Sequence, residues 1–196
     1  MFYSLIAKDM LERVTKTNDK FVVVCFDLPS ENINSKDEKL KKSLACKRIT
    51  IGNSFYACGV RLNKSVYVIK TEKVNKLLSD VEKTYIGLPK EIIEIVDVKI
   101  VGKVFDEVIE KLLFDDINKL MADMKEQLEL LDVDIRNNVS DKKSIFLKRA
   151  YKISSIERIV DSRITDLQEI NDTIANKKRQ EYQKVKTFKR EVMRLI

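Results

Sequence analysis

The residues able to do chemistry in this 196-residue chain are few, and the missing types say as much as those present. There is no histidine. That removes imidazole acid–base catalysis, the Ser–His and Cys–His nucleophile systems and the usual zinc sites. The three cysteines, Cys25, Cys46 and Cys58, are widely spaced, form no Cys-x-x-Cys pair and each sit in an apolar stretch. They read as reduced, buried thiols. An enzyme built on this chain has to use carboxylates, lysines, tyrosines or a hard, oxygen-bound metal.

Cations are the abundant resource. The formal net charge is +7, and it is unevenly spread. Residues 1–103 carry 19 Lys/Arg against 13 Asp/Glu, residues 104–176 carry 11 against 16, and residues 177–196 carry 8 against 2. Two basic ends thus flank an acidic middle, a pattern suited to an anionic partner but also to plain solvated surface. Lys36, Lys39, Lys41, Lys42, Lys47 and Arg48 crowd one segment, with Arg61 and Lys64 close behind. Such a set fits phosphate contacts, and Tyr56 or Tyr67 could stack on unpaired bases. Arg48 falls on the apolar stripe between Leu44 and Ile51, where a charge must reach a carboxylate, the surface or a ligand. At the C-terminus Lys177, Lys178, Arg179, Lys184, Lys186, Lys189, Arg190 and Arg194 surround Tyr182, Val185, Phe188, Val192 and Leu195. The candidate phosphate-contacting residues are Lys39, Lys42, Lys47, Arg48, Arg61, Lys64, Lys177, Lys178, Arg179, Lys186 and Arg190.

The elements that must position these groups are punctuated at one end only. All four glycines (52, 59, 87 and 102) and both prolines (29 and 89) lie in the first 102 residues. Residues 104–196 contain neither, which predicts two amphipathic helices. Val104, Val108, Leu112, Ile117, Leu120, Met124, Leu128, Leu131 and Ile135 form the first stripe. After a break at 136–139, where Ser140 or Asp141 can cap, the second runs from Phe146 through Ile153, Ile156, Val160, Ile164, Leu167, Ile170 and Ile174 to Leu195. At 1.5 Å per residue the two rods are roughly 48 and 80 Å long, so the longer, basic one overshoots by about twenty residues. That overhang is expected to dock on its own α/β domain, on a second chain or on a ligand.

The first hundred residues read as an amphipathic helix over 2–16 followed by a β-α-β-β-α-β order. Phe21 to Phe26 is a continuous β-prone run, and Val66 to Ile69 is another. Lys73 to Lys83 is helical with Val74, Leu77, Leu78 and Val81 on one face, and Glu91 to Val101 supplies the last strand. Residues 36–58 fit either a hairpin turning at Gly52-Asn53 or a helix that buries Leu40, Leu44, Ile51, Phe55 and Cys58 and stops at Gly59. The helix gives the βαββαβ order of a ferredoxin-like fold, at about 1 kcal/mol for Gly52 in its interior.

Strand, Asp27-Leu28-Pro29, lysine-rich helix, then Cys58-Gly59-Val60-Arg61-Leu62-Asn63-Lys64-Ser65-Val66-Tyr67-Val68-Ile69, helix and closing strand: this pattern over residues 20–101 resembles the small CRISPR-associated ferredoxin-like nuclease family and related toxin and repressor C-terminal domains. The resemblance implies a dimer in which the aspartate after the first strand faces its mate across the interface and holds a divalent metal. Carried onto this chain, that puts Asp27 in the metal-binding and catalytic role, with Mg²⁺ as its ion and Ser65 nearby. The same carboxylate could instead satisfy loop amides. A 93-residue helical extension and an N-terminal helix depart from the family's pattern.

The sequence thus predicts an α+β protein with two domains. Residues 1–103 form a ferredoxin-like unit and residues 104–196 a long antiparallel helical hairpin with a basic extension. The expected role is a non-enzymatic, dimeric nucleic-acid-binding or adaptor protein of the cytoplasm, without a cofactor or membrane span. The alternatives are an assembly protein that oligomerises through its hairpin, or a Mg-dependent nuclease using Asp27.

Overall fold

A computed structural model describes residues 20–27, 38–63, 65–85, 97–103, 106–137 and 142–195 of the chain. The architecture is α+β, and it divides into two compact units, Met1–Phe105 and Asp106–Ile196. The helix expected over 2–16 lies outside the described residues.

In the first unit the order is β1 (Phe21–Asp27), α1 (Glu38–Cys58), β2 (Gly59–Asn63), β3 (Val66–Lys70), α2 (Thr71–Tyr85) and β4 (Asp97–Lys103). The strands form one antiparallel sheet of order β2-β3-β1-β4. Two-residue alternation sorts β1. Val22, Val24 and Phe26 join Leu44, Ile51 and Phe55 of α1, Tyr67 and Ile69 of β3, and Val74, Leu77, Leu78 and Val81 of α2 in one buried cluster. Phe26, Phe55 and Tyr67 form its aromatic centre, with ring centroids 4.3 to 5.8 Å apart. Phe21, Val60 and Val68, which alternate with these along the strands, are buried as well.

Residues 38–58 are one helix, so the hairpin alternative is excluded. Gly59 does more than stop it. A Cβ there would stand 2.3 Å from the Val68 carbonyl oxygen and 2.5 Å from Ile69 Cγ1. Only glycine lets the chain turn from α1 straight into a strand that presses this closely on β3. Of the last strand expected over 91–101, residues 97–101 fall within β4 and 91–96 lie outside the described residues.

The second unit corrects the two-rod expectation. It contains α3 (Asp106–Arg136), α4 (Lys142–Gln168) and α5 (Asp172–Met193). The predicted 80 Å rod is broken at Glu169–Asn171, and its last part folds back on α4 instead of overshooting. Asn171 makes the break without glycine or proline. Its backbone is extended (φ −146°, ψ 95°), its side chain accepts from the Ile174 N–H, and its own N–H donates to the Leu167 carbonyl at 2.8 Å. It is a helix N-cap, with Asp172 favourably placed in the first turn. The contacts fix an up-down-up three-helix bundle. Arg149 meets Asp134 and Arg163 meets Asp116, so α3 and α4 are antiparallel. Arg179 reaches Gln168 and Lys189 reaches Glu157, so α4 and α5 are antiparallel too.

The core stripe of α3 also starts one position later than its spacing suggests. Ile109 and Leu113 are buried, whereas Val108 is exposed and Leu112 half-buried. From Ile117 to Leu131 the predicted positions hold. On α4 and α5, Ile153, Ile156, Val160, Ile164, Leu167, Tyr182 and Val192 are buried, while Leu195 is exposed.

Candidate functional site

The end of β1 brings together what the sequence nominated and one residue it did not. Asp27 is the last residue of the strand, and its cross-strand partner is Asp97, the first residue of β4. On the other side the Phe26 N–H donates to the Ser65 carbonyl at 2.9 Å, which places Ser65 beside the same strand end. An Asx turn, with the Ser65 N–H donating to Asn63 Oδ1 at 3.0 Å, shapes the short connection that carries it. Asp97 escaped notice because antiparallel register, not sequence spacing, pairs its position with Asp27. Among the described residues no group of three or more His, Cys, Asp or Glu is arranged to hold a metal ion.

The basic set of α1 is dispersed around the helix. At 100° per residue, Lys39 and Lys42 lie on the outward face with Cys46, Ile49 and Asn53, and both lysines are exposed. Lys47 is half-buried and its Nζ donates to the Thr84 carbonyl, which ties α1 to the end of α2. Arg48 occupies the opposite flank and is exposed, so its guanidinium reaches the surface although it sits among core positions. Arg61 is exposed on β2, donating to the Asn63 carbonyl at 3.0 Å. Lys64 lies outside the described residues. Stacking on Tyr67 is ruled out, since the ring is buried in the core; burial raises its pKa, and the charge of its cross-strand neighbour Arg61 works against that. Tyr56 packs partly against the same core.

The cysteines differ from one another more than their settings suggest. Cys58 is buried, Cys25 half-buried and Cys46 exposed, all as free thiols. Cys46 stands with Lys42 and Ile49 on the side of α1 away from the sheet, so an apolar neighbourhood in sequence is not a buried one in space.

The C-terminal cations mostly serve the bundle. Lys178 is buried. Its Nζ lies 4.1 Å from the centroid of the Phe114 ring and donates to Asn118 Oδ1 at 2.7 Å and to Glu181 Oε2 at 2.6 Å. Arg179 donates to Gln168 across the α4–α5 turn and to Asn176 within α5. Lys186 bridges Asp161 and Glu157 on α4 and covers the Tyr182 ring at 4.4 Å, and Lys189 pairs with Glu157. Lys177 and Arg190 are exposed. The continuous cationic overhang of the sequence is therefore absent: Lys178, Lys186 and Lys189 are paired with acids of the same unit.

The interior of the bundle holds polar groups that periodicity alone could not find. Arg163 is fully buried, 0% exposed, with Nε donating to Asp116 Oδ2 at 3.0 Å and Nη1 standing 3.9 Å from Asp166 Oδ2. Half a bundle away, Arg149 Nε donates to Asp134 at 2.7 Å, and its Nη1 approaches the buried Gln127. Near the α4–α5 turn, Asn171 Nδ2 donates to Glu110 at 3.0 Å. These contacts key the helices into one register. Arg163, Asp166 and Gln127 are buried between the helices, whereas Arg149, Asp134, Asn171 and Glu110 are half-buried.

No family model matches the chain, and neither the curated proteins nor the solved structures contain a match.

Proposed function

We propose that this protein is a non-enzymatic, dimeric nucleic-acid-binding adaptor whose α/β unit contacts phosphate. The observation that carries this is the charge of the α1–β2 segment. Residues 36–64 contain eight Lys/Arg against two Asp/Glu, and Lys39, Lys42, Arg48 and Arg61 among them are exposed. Lys178, Lys186 and Lys189 of α5 are matched by acids of their own bundle, which favours the first unit over the C-terminus for the expected contacts. The strand order β2-β3-β1-β4, with both helices packed on one core, supports a ferredoxin-like arrangement, a scaffold that offers a rigid surface for such contacts. No described helix is long and apolar enough to cross a membrane, and the described cysteines are free thiols, which accords with a cytoplasmic setting.

Fluorescence anisotropy with labelled single- and double-stranded oligonucleotides over a salt series tests this. Affinity should fall linearly on a log–log plot, and the double variant Lys39→Ala/Lys42→Ala should lower the slope by about one to two. No binding to any oligonucleotide at low salt would sink the proposal.

A second reading is favoured by the register that pairs Asp27 with Asp97. Two aspartate positions paired at one strand end would suit a hard divalent cation such as Mg²⁺, and with it metal-dependent nuclease chemistry. Asp27→Asn should then abolish Mg²⁺-dependent cleavage with circular dichroism unchanged. Cleavage that survives the substitution would eliminate this reading.

A further inference from the structure

Two faces of the bundle stand uncovered, and their chemistries are opposite. On the outward side of α3, Glu126, Leu130 and Val133 follow one another within about 60° of arc, with Glu129 beside them. Leu130 is 38% and Val133 50% exposed, although both are large and apolar. Asp115, Glu126 and Glu129 are the exposed acids of this side, against one lysine, Lys119. On the outward side of α4, Leu147 and Tyr151 lie one turn apart and are 63% and 73% exposed. Lys148, Lys152 and Arg158 are exposed around them, and no acid occurs between Lys142 and Ile156.

Both faces sit at the same end of the bundle. Arg149 Nε holds Asp134 at 2.7 Å, so the last turns of α3 run beside the first turns of α4. A molecule that carries an acidic apolar face and a basic apolar face side by side is complementary to itself. A two-fold axis laid between them sets α3 of one copy against α4 of the other, and the second contact forms by symmetry. Aromatic and aliphatic anchors with opposite charges at their edges are what such a contact needs.

We propose that these faces form an isologous dimer interface, α3 of one copy packing on α4 of its partner, with Leu130, Val133, Leu147 and Tyr151 as anchors. This rests on the protein being a dimer and not on its binding nucleic acid. Each face is roughly 20 Å by 10 Å from the helix rise and diameter. Two such faces per copy fall below the roughly 800 Å² of a standard interface, so the dimer should be reversible, in the micromolar range.

Sedimentation velocity of the full chain over a concentration series tests it, with a charge exchange as the decisive arm. Glu126→Lys/Glu129→Lys and, separately, Lys148→Glu/Lys152→Glu should each weaken dimerisation at least about tenfold by setting like charges face to face. An equimolar mixture of the two variants should dimerise again, because both contacts are then complementary. Tyr151→Glu should give a monomer with an unchanged circular dichroism spectrum. A wild-type chain that stays monomeric at several hundred micromolar, or a mixture that fails to recover, would overturn the proposal. So would a monomer whose oligonucleotide binding is lost in Lys148→Glu/Lys152→Glu, which would assign the α4 face to nucleic acid. Loss of oligonucleotide binding confined to Lys39→Ala/Lys42→Ala, with dimerisation intact, would support both conclusions independently.

Discussion

Removing Arg163 and Asp116 together should cost the bundle clearly less than the sum of removing each alone. Arg163 is fully buried, and its Nε lies 3.0 Å from Asp116. At an effective dielectric of about 20, a charge pair at that distance is worth roughly 5 kcal/mol before desolvation is subtracted. Desolvating a guanidinium offsets most of that gain, so the intact pair contributes little net stability while an orphaned partner is expensive. Arg163→Met, which takes the cation away from two carboxylates, and Asp116→Leu, which takes its nearer carboxylate from the guanidinium, should each cost about 3–5 kcal/mol. The double variant Arg163→Met/Asp116→Leu should cost clearly less than the two together, with a coupling of about 2 kcal/mol or more. Native-state hydrogen exchange on peptides of α4 is the suitable assay, because it reads the bundle separately from the α/β unit. Single substitutions costing under about 1 kcal/mol, or strictly additive costs, would show that the cluster does not act as a buried ionic unit.

Gly52 and Gly59 should respond in opposite directions. Gly52→Ala should stabilise by about 1 kcal/mol, since the added methyl meets nothing within 4 Å inside a helix. Gly59→Ala should destabilise by about 1–3 kcal/mol by forcing β2 off β3, and urea midpoints of the two variants check both signs. Burial, aided by the nearby Asp161 and Glu157 carboxylates, raises the Tyr182 pKa well above its ordinary 10. The unfolded chain therefore loses this proton first, and stability falls as pH rises past 10, by about 1.4 kcal/mol per pH unit from this group. Urea titrations at pH 9 to 11 should show a shallower alkaline loss for Tyr182→Phe than for wild type; identical slopes would contradict the assignment. Maleimide labelling of the native protein should modify Cys46 first and Cys58 only on unfolding, as peptide mass mapping would reveal.

Much of the fold was legible because local patterns and global packing agree. The run Phe21–Phe26 and the stripe Leu44, Ile51, Phe55 and Cys58 each place their apolar groups where a single packed core accepts them. Legibility failed where a contact joins residues far apart in the chain. Lys178 reads as part of a cationic surface, yet it is buried because Asn118 and Phe114, some sixty residues away, supply a bond and a ring. Asp97 reads as an ordinary strand start until the register sets it opposite Asp27. The exposed thiol of Cys46 was hidden by its neighbours' apolarity.

The clearest division falls at Asn171. Sequence by itself determined that residues beyond 104 are helical, since neither glycine nor proline interrupts an apolar period of three and four. It also held the signal of an N-cap in Asn171-Asp172-Thr173, but Ile170 and Ile174 keep the stripe in phase across the turn, so periodicity alone reads straight through it. Only the tertiary structure decided that the chain folds back there. A continuous rod would leave Tyr182 and Val192 in water and the acids of α4 unmatched, whereas folding back buries both and pairs Glu157 and Asp161 with Lys186 and Lys189. Local propensity is the same in both arrangements; burial and charge pairing are not.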